Sequence, residues 1–145
     1  MKKIFLYSVV ILTLFSSCKK EVELTNPDMD YVSFQGTWTR TFDAAGNEHT
    51  AKYEINENNI HYKLEGVVGF ADYTLQKDSY NETDGRWIGH TDKNQYYLLF
   101  FKGVFEDKIT IYKQKVNDPN EAQSISIPED DTAENYGWNV YDRKN

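Results

Sequence analysis

From Tyr31 onward, apolar and polar residues alternate with a period of two, the repeat of a strand with one buried face. Ile60, Tyr62 and Leu64 alternate with His61, Lys63 and Glu65, and Trp38, Arg40 and Phe42 with Thr37, Thr39 and Thr41. Tyr53 and Ile55 alternate with Lys52, Glu54 and Asn56, and Ala71, Tyr73 and Leu75 with Asp72, Thr74 and Gln76. Tyr96 to Phe101 is apolar on both faces, which predicts a central strand covered on both sides. Ile109 and Ile111 flank Thr110, and near the end Trp138 and Val140 oppose Asn139 and Tyr141. Asn, Asp and Gly cluster between these runs: Asp43 to Asn47, Asn56 to Asn59, Asn81 to Gly85, Asp92 to Asn94, and Glu106-Asp107. Such residues suit hairpin turns. About eight short strands at 8–12-residue spacing predict an all-β sandwich or barrel. One short helical turn is expected near Tyr31 to Phe34. Residues 117–135 form the longest irregular segment, with a turn at Asp118-Pro119-Asn120, a short strand over Ser124 to Ile127, and an acidic patch of Glu129, Asp130, Asp131 and Glu134.

The N-terminus follows a different rule. Lys2 and Lys3 precede the apolar run Ile4 to Phe15, and Ser16-Ser17-Cys18 follows. A basic start, a short apolar run and small residues are the marks of a secretory signal. The run is too short to cross a bilayer, which takes about 20 residues. The chain has a single Cys, and Cys18 stands where a lipid would be attached. Leu14-Phe15-Ser16-Ser17-Cys18 resembles a bacterial lipobox, with Phe15 where the pattern prefers Leu. That resemblance implies cleavage before Cys18, diacylglycerol on its sulfur and a further acyl group (palmitate-like) on its amine. Several chains anchor stably where one does not. Lys19-Lys20-Glu21-Val22-Glu23 is similar to the tags that send lipoproteins to the outer face of the outer membrane. The expected organisation is a signal peptide over 1–17, a lipidated Cys and flexible tether over 18–31, and a barrel domain over 32–145. The expected location is the outer membrane, on its periplasmic face or at the cell surface.

Composition removes several classes. The chain has 145 residues, enough for one domain, and its net charge of −7 becomes −9 once Lys2 and Lys3 are cleaved away. An acidic chain without basic clusters is not expected to bind nucleic acid. One Cys excludes both a disulfide scaffold and a cysteine-built zinc site.

Phe34-Gln35-Gly36-Thr37-Trp38 opens the domain with the Gly-x-Trp start of the lipocalin and fatty-acid-binding (calycin) superfamily, which it resembles. The resemblance implies an up-and-down antiparallel barrel, lipocalin-like, closed at one end and open to an apolar cavity at the other. In that family a basic residue of the last strand lies across the Trp, a place that Arg143 or Lys144 would take against Trp38. Closure also has a physical reason, since an open sheet leaves edges that aggregate. Eight strands enclose either a core of side chains or room for one small ligand.

Candidate chemistry is sparse. His49, His61 and His90 show no metal-ligand spacing, and neither a Ser-His-Asp arrangement nor a phosphate-binding Gly loop is present, so neither an enzyme nor a metal or organic cofactor is expected. The acidic run at 129–134 lacks the spacing of a calcium loop. Asp131-Thr132-Ala133 resembles a short O-glycosylation sequon of some bacterial periplasmic systems, with Thr132 the acceptor. Three Trp, eleven Tyr and eight Phe are the remaining feature. Tyr53, Tyr62, Leu64, Phe70, Trp87, Tyr97, Phe101 and Trp138 are the expected cavity lining for a small hydrophobic or amphipathic ligand. The alternative is a filled barrel serving as a non-enzymatic accessory subunit of an outer-membrane protein complex.

Overall fold

The computed structural model describes residues 28–66, 70–129 and 137–145. Eight strands, β1 (Gly36–Ala44), β2 (Asn47–Ile55), β3 (Asn59–Gly66), β4 (Ala71–Asn81), β5 (Arg86–His90), β6 (Tyr96–Phe105), β7 (Lys108–Val116) and β8 (Asn139–Lys144), each pair antiparallel with the next. β8 returns to β1, so the sheet closes into an up-and-down barrel, and among the described residues the only helices are two short ones, α1 (Tyr31–Phe34) and α2 (Pro119–Ser124). The expected signal segment, Cys18, the expected tether up to residue 27, Asp130, Asp131, Thr132 and Glu134 lie outside the described residues.

Alternation and register decide what points inward. Trp38 lies opposite Tyr53, Tyr53 opposite Tyr62, and Tyr62 opposite Tyr73, so one interior layer runs across four strands. Two hairpins turn on two residues with positive φ at both: Ala45 and Gly46 (52° and 75°), and Glu106 and Asp107 (48° and 58°). This backbone matches the right-handed twist of the flanking strands. Bulges break the parity of β4 between Lys77 and Ser79 and of β6 between Phe101 and Val104. The first brings Tyr80 inside, 5.0 Å from the Tyr31 ring.

One end of the barrel is stoppered. Asp30 caps α1 by accepting from the Val32 amide, and the helix places Phe34, fully buried, beneath the barrel floor. The Trp38 indole is fully buried and donates its N–H to the Phe34 carbonyl at 2.7 Å. The Arg143 guanidinium lies 4.1 Å from the Trp38 ring centre and donates to the carbonyls of Gln35 (3.0 Å) and Ser33 (2.9 Å). One side chain of the last strand thus ties α1 and β1 together. The folded unit also begins earlier than the tether boundary at 31 anticipated. Asp28 bridges to Val104, the Tyr80 hydroxyl donates to the Met29 carbonyl at 2.8 Å, and Tyr31 is buried.

The other departure is α2. The Asp118-Pro119-Asn120 turn is the start of a helix: Asp118 accepts from the amides of Asn120 and Glu121, and Pro119 occupies the first turn. Ser124 to Ile127 adds no strand. The helix covers the outer wall of β5, β6 and β7, where Ala122 packs with Ile88, Leu98, Phe100 and Val116 in a second apolar cluster. This cover is why Tyr96 to Phe101 is apolar on both faces.

Gly89 shows how tightly the interior is filled. A Cβ there would stand 2.3 Å from both the Gln76 carbonyl oxygen and the Trp87 ring. Gly89→Ala should therefore lower stability by about 1–3 kcal/mol, as overpacking does. Denaturant melts measure this, and an unchanged midpoint would show that Trp87 can move aside.

Candidate functional site

Above the stoppered end the interior changes character. Side chains of β1, β2, β3, β7 and β8 and residue Gly137 enclose a cavity of about 260 Å³. Its wall includes Arg40, Phe42, Tyr53, Tyr62, Leu64, Lys113 and Tyr141. By register it lies toward the end bearing the β1–β2 and β3–β4 connections. A water occupies about 30 Å³ of liquid, so the space suits a single ring or a short chain and not a long acyl tail.

Tyrosines dominate this end. Ring centres run from Tyr141 to Tyr53 (5.1 Å), to Tyr62 (4.8 Å), to Tyr73 (5.4 Å) and to Tyr97 (5.2 Å, stacked). Such tilted and edge-on pairs add about 0.5–1.5 kcal/mol each beyond area burial. Burial pushes the phenols of Tyr53, Tyr62, Tyr73 and Tyr141 above their ordinary range, so all four stay protonated at neutral pH.

Lys113 breaks the aromatic wall. It follows Ile109 and Ile111 on the inward face of β7, with its amine 3.1 Å from the Tyr62 ring centre. The amine donates to the Tyr73 hydroxyl at 2.9 Å. Among the described residues no carboxylate forms a salt bridge with it. Burial lowers the pKa of this amine to about 7. A lysine packed against aromatic rings loses hydration that a cation needs and a neutral amine does not. Arg40, on β1, faces the same cavity and stacks on Phe42 at 4.6 Å.

The expected lining divides. Tyr53, Tyr62 and Leu64 border the cavity. Tyr97 stands behind it, stacked on Tyr73. Trp87 and Phe101 belong to the stoppered end: Trp87 donates to the Tyr31 hydroxyl at 3.1 Å, and the Phe101 ring lies tilted against Phe34 with ring centres 4.8 Å apart. Phe70, expected inside, is 87 % exposed. Trp138, also expected inside, lies on the outer wall with Phe100 and Tyr112 and donates to the Pro128 carbonyl. In β8 it is Asn139 and Tyr141 that face the cavity. Sequence reasoning passed over Lys113 because Lys113-Gln114-Lys115 reads as the polar end of a strand. The parity of Ile109 and Ile111 was the signal that placed it inside.

The histidines serve local structure. His49 is buried, stacks on Phe42 at 5.5 Å and occupies the space a Cβ at Gly66 would take. His61 stands on the outer face between Glu54 (3.4 Å) and Asp72 (2.6 Å), and the bond to Asp72 raises its pKa. His90 pairs with Asp78 at 2.9 Å. Among the described residues no group of three or more His, Cys, Asp or Glu converges as metal ligands would. No protein-family model, curated protein or solved structure matches the chain.

Proposed function

We propose that this chain is a lipid-anchored extracytoplasmic lipoprotein of the lipocalin-like kind, and that its barrel binds one small amphipathic molecule at the open end. The observation that carries the reading is the cavity of about 260 Å³ whose wall combines Lys113, Arg40 and Asn139 with three tyrosines and apolar side chains. Apolar walls with a few converging polar groups are the usual form of small-molecule sites. The size argues for a single-ring or short-chain ligand with one oxygen-bearing polar group, in place of the more general hydrophobic ligand. The lipobox-like Leu14 to Cys18 supports an anchor in the outer membrane. Neither a cofactor nor catalysis is part of this reading.

Calorimetric titration with benzoate and with benzyl alcohol tests it. One or both should bind with unit stoichiometry, and Leu64→Trp, which adds a bulky ring to the cavity wall, should reduce that binding at least tenfold while the fold persists. Absence of binding to the wild type would favour the second reading, a non-enzymatic accessory subunit. That reading draws on how much of the interior is already filled, with Phe34, Trp38, Tyr53, Trp87 and Phe101 all about 2 % exposed or less.

The anchor is tested separately. Cys18→Ala should abolish incorporation of a tagged fatty acid in the producing bacterium, because no other thiol exists in the chain. Equal labelling of variant and wild type would overturn the lipoprotein reading.

A further inference from the structure

We propose that Lys113 is a covalent carbonyl-capture site, at which a small aldehyde entering the cavity forms an imine with the side-chain amine. The inference rests on the reading that the cavity admits a small molecule. Three features of the geometry carry it. Lys113 lines the cavity, and its nitrogen lies over the ring of Tyr62, another residue of the same wall. The surroundings are the faces of Tyr62, Tyr53 and Tyr73, with ring centres at 3.1, 5.8 and 5.4 Å, which shelter an imine from water. The Tyr73 hydroxyl, 2.9 Å from the nitrogen, is a protonated phenol within reach of any atom bonded to that nitrogen.

The chemistry balances without any further reactant. The nitrogen lone pair attacks the carbonyl carbon, the carbonyl π pair goes to oxygen, and a proton passes from nitrogen to that oxygen. The resulting carbinolamine loses its hydroxyl as water as the nitrogen lone pair forms the C=N bond, with Tyr73 relaying the proton. The remaining N–H proton leaves, so one aldehyde and one amine yield one imine and one water. The attacking form is the neutral amine. Burial lowers the pKa of the amine to about 7, so the neutral form is far more abundant near pH 7 than the roughly one part in a few thousand of an ordinary lysine. The groups facing Lys113 are Tyr62 and Tyr53 from β3 and β2, Tyr73 from β4, Tyr141 from β8 and Arg40 from β1. None is a carboxylate that would hold the ammonium form.

The test incubates the full-length protein with benzaldehyde and cyanoborohydride at pH 7, followed by intact mass and peptide mapping. Lys113 should be alkylated first, at least tenfold faster than any exposed lysine. Lys113→Met should remove that fast single adduct, and Tyr73→Phe should slow it severalfold. Labelling spread over exposed lysines, with Lys113 unmodified, would overturn the proposal. Benzyl alcohol, which has the ring but no carbonyl, separates the two readings. If it binds the wild type while Lys113 stays unlabelled, capture fails and the ligand site stands. If it does not bind and Lys113 stays unlabelled, both fall.

Discussion

Trp38→Ala should lower the stability of the barrel by about 3–5 kcal/mol, the usual loss when a buried Trp is truncated without collapse of its surroundings. The indole is fully buried at the stoppered end, its N–H satisfies the Phe34 carbonyl, and its face supports the Arg143 guanidinium. Truncation empties the floor, frees a buried carbonyl and removes the cation's aromatic partner at once. Arg143→Ala should cost less, about 1–3 kcal/mol. It loses a partly exposed cation–π contact and two charge-assisted bonds to the carbonyls of Ser33 and Gln35. Denaturant unfolding of both variants measures the order. If Trp38→Ala lies within 1 kcal/mol of wild type, a small part of the roughly 5–15 kcal/mol that holds a domain together, then α1 and Arg143 do not close the barrel over Trp38.

Lys113→Met should have the opposite sign. Burial holds the Lys113 amine at about pKa 7, whereas in the unfolded chain it returns to the ordinary lysine range. Between these two values the unfolded state binds a proton that the folded state does not. Wild-type stability therefore rises with pH above 7, by up to about 1.4 kcal/mol per pH unit and about 3 kcal/mol by pH 9.5. Below pH 7 the folded state carries a buried cation without a carboxylate partner. There Lys113→Met should be the more stable protein, by about 1–4 kcal/mol, as when buried charges give way to apolar side chains of like volume. Loss of the bond to Tyr73 makes the gain smaller than the pKa shift alone would suggest. Two other groups bend the wild-type curve. His61, whose pKa is raised by Asp72 and Glu54, contributes stability below the unfolded value that is lost as pH rises through the folded one. The raised phenols of Tyr53, Tyr62, Tyr73 and Tyr141 lower stability only above about pH 10, where the unfolded chain ionises first. His61, on the outer face, is common to variant and wild type and cancels in the difference, and the phenols act only above the pH range compared. A difference that stays flat from pH 6 to 9.5 would show that the Lys113 amine reaches water.

How much of this was legible beforehand varies by element. The alternation in Trp38 to Phe42, Tyr53 to Ile55, Ile60 to Leu64 and Ala71 to Leu75 matches strands β1 to β4 and the side each residue faces. Turn residues located the hairpins at 44–47, 56–59 and 105–108. Where a strand end is polar or both faces are covered, alternation misleads. Trp138 looked like the inward residue of β8, yet the outer wall there is itself apolar, and the indole packs on Phe100 and Tyr112. Phe70 lay next to a strand whose register decides nothing about a residue before its first pair, and it is exposed. The helix over Pro119 to Ser124 had its start signal in the sequence, Asp118 before Pro119 with Glu121 three residues on, but no apolar stripe long enough to announce it.

The sequence by itself determined an all-β domain of about eight short strands and the inward set of the first four, although β5 (Arg86–His90) was not among the runs that alternation picks out. Period-two alternation is a local property that the pleat of any half-buried strand enforces. Only the tertiary structure decided which inward residues meet. The bulge in β4 turned Tyr80 into the floor, and closure of β8 on β1 laid Arg143 over Trp38. Closure also carried Lys113 from a polar strand end into a ring of tyrosines drawn from β2, β3, β4 and β8. The pKa of that amine and the cavity it borders come from side chains far apart in sequence. Their meeting depends on register and strand tilt summed around the whole barrel, which no single segment encodes.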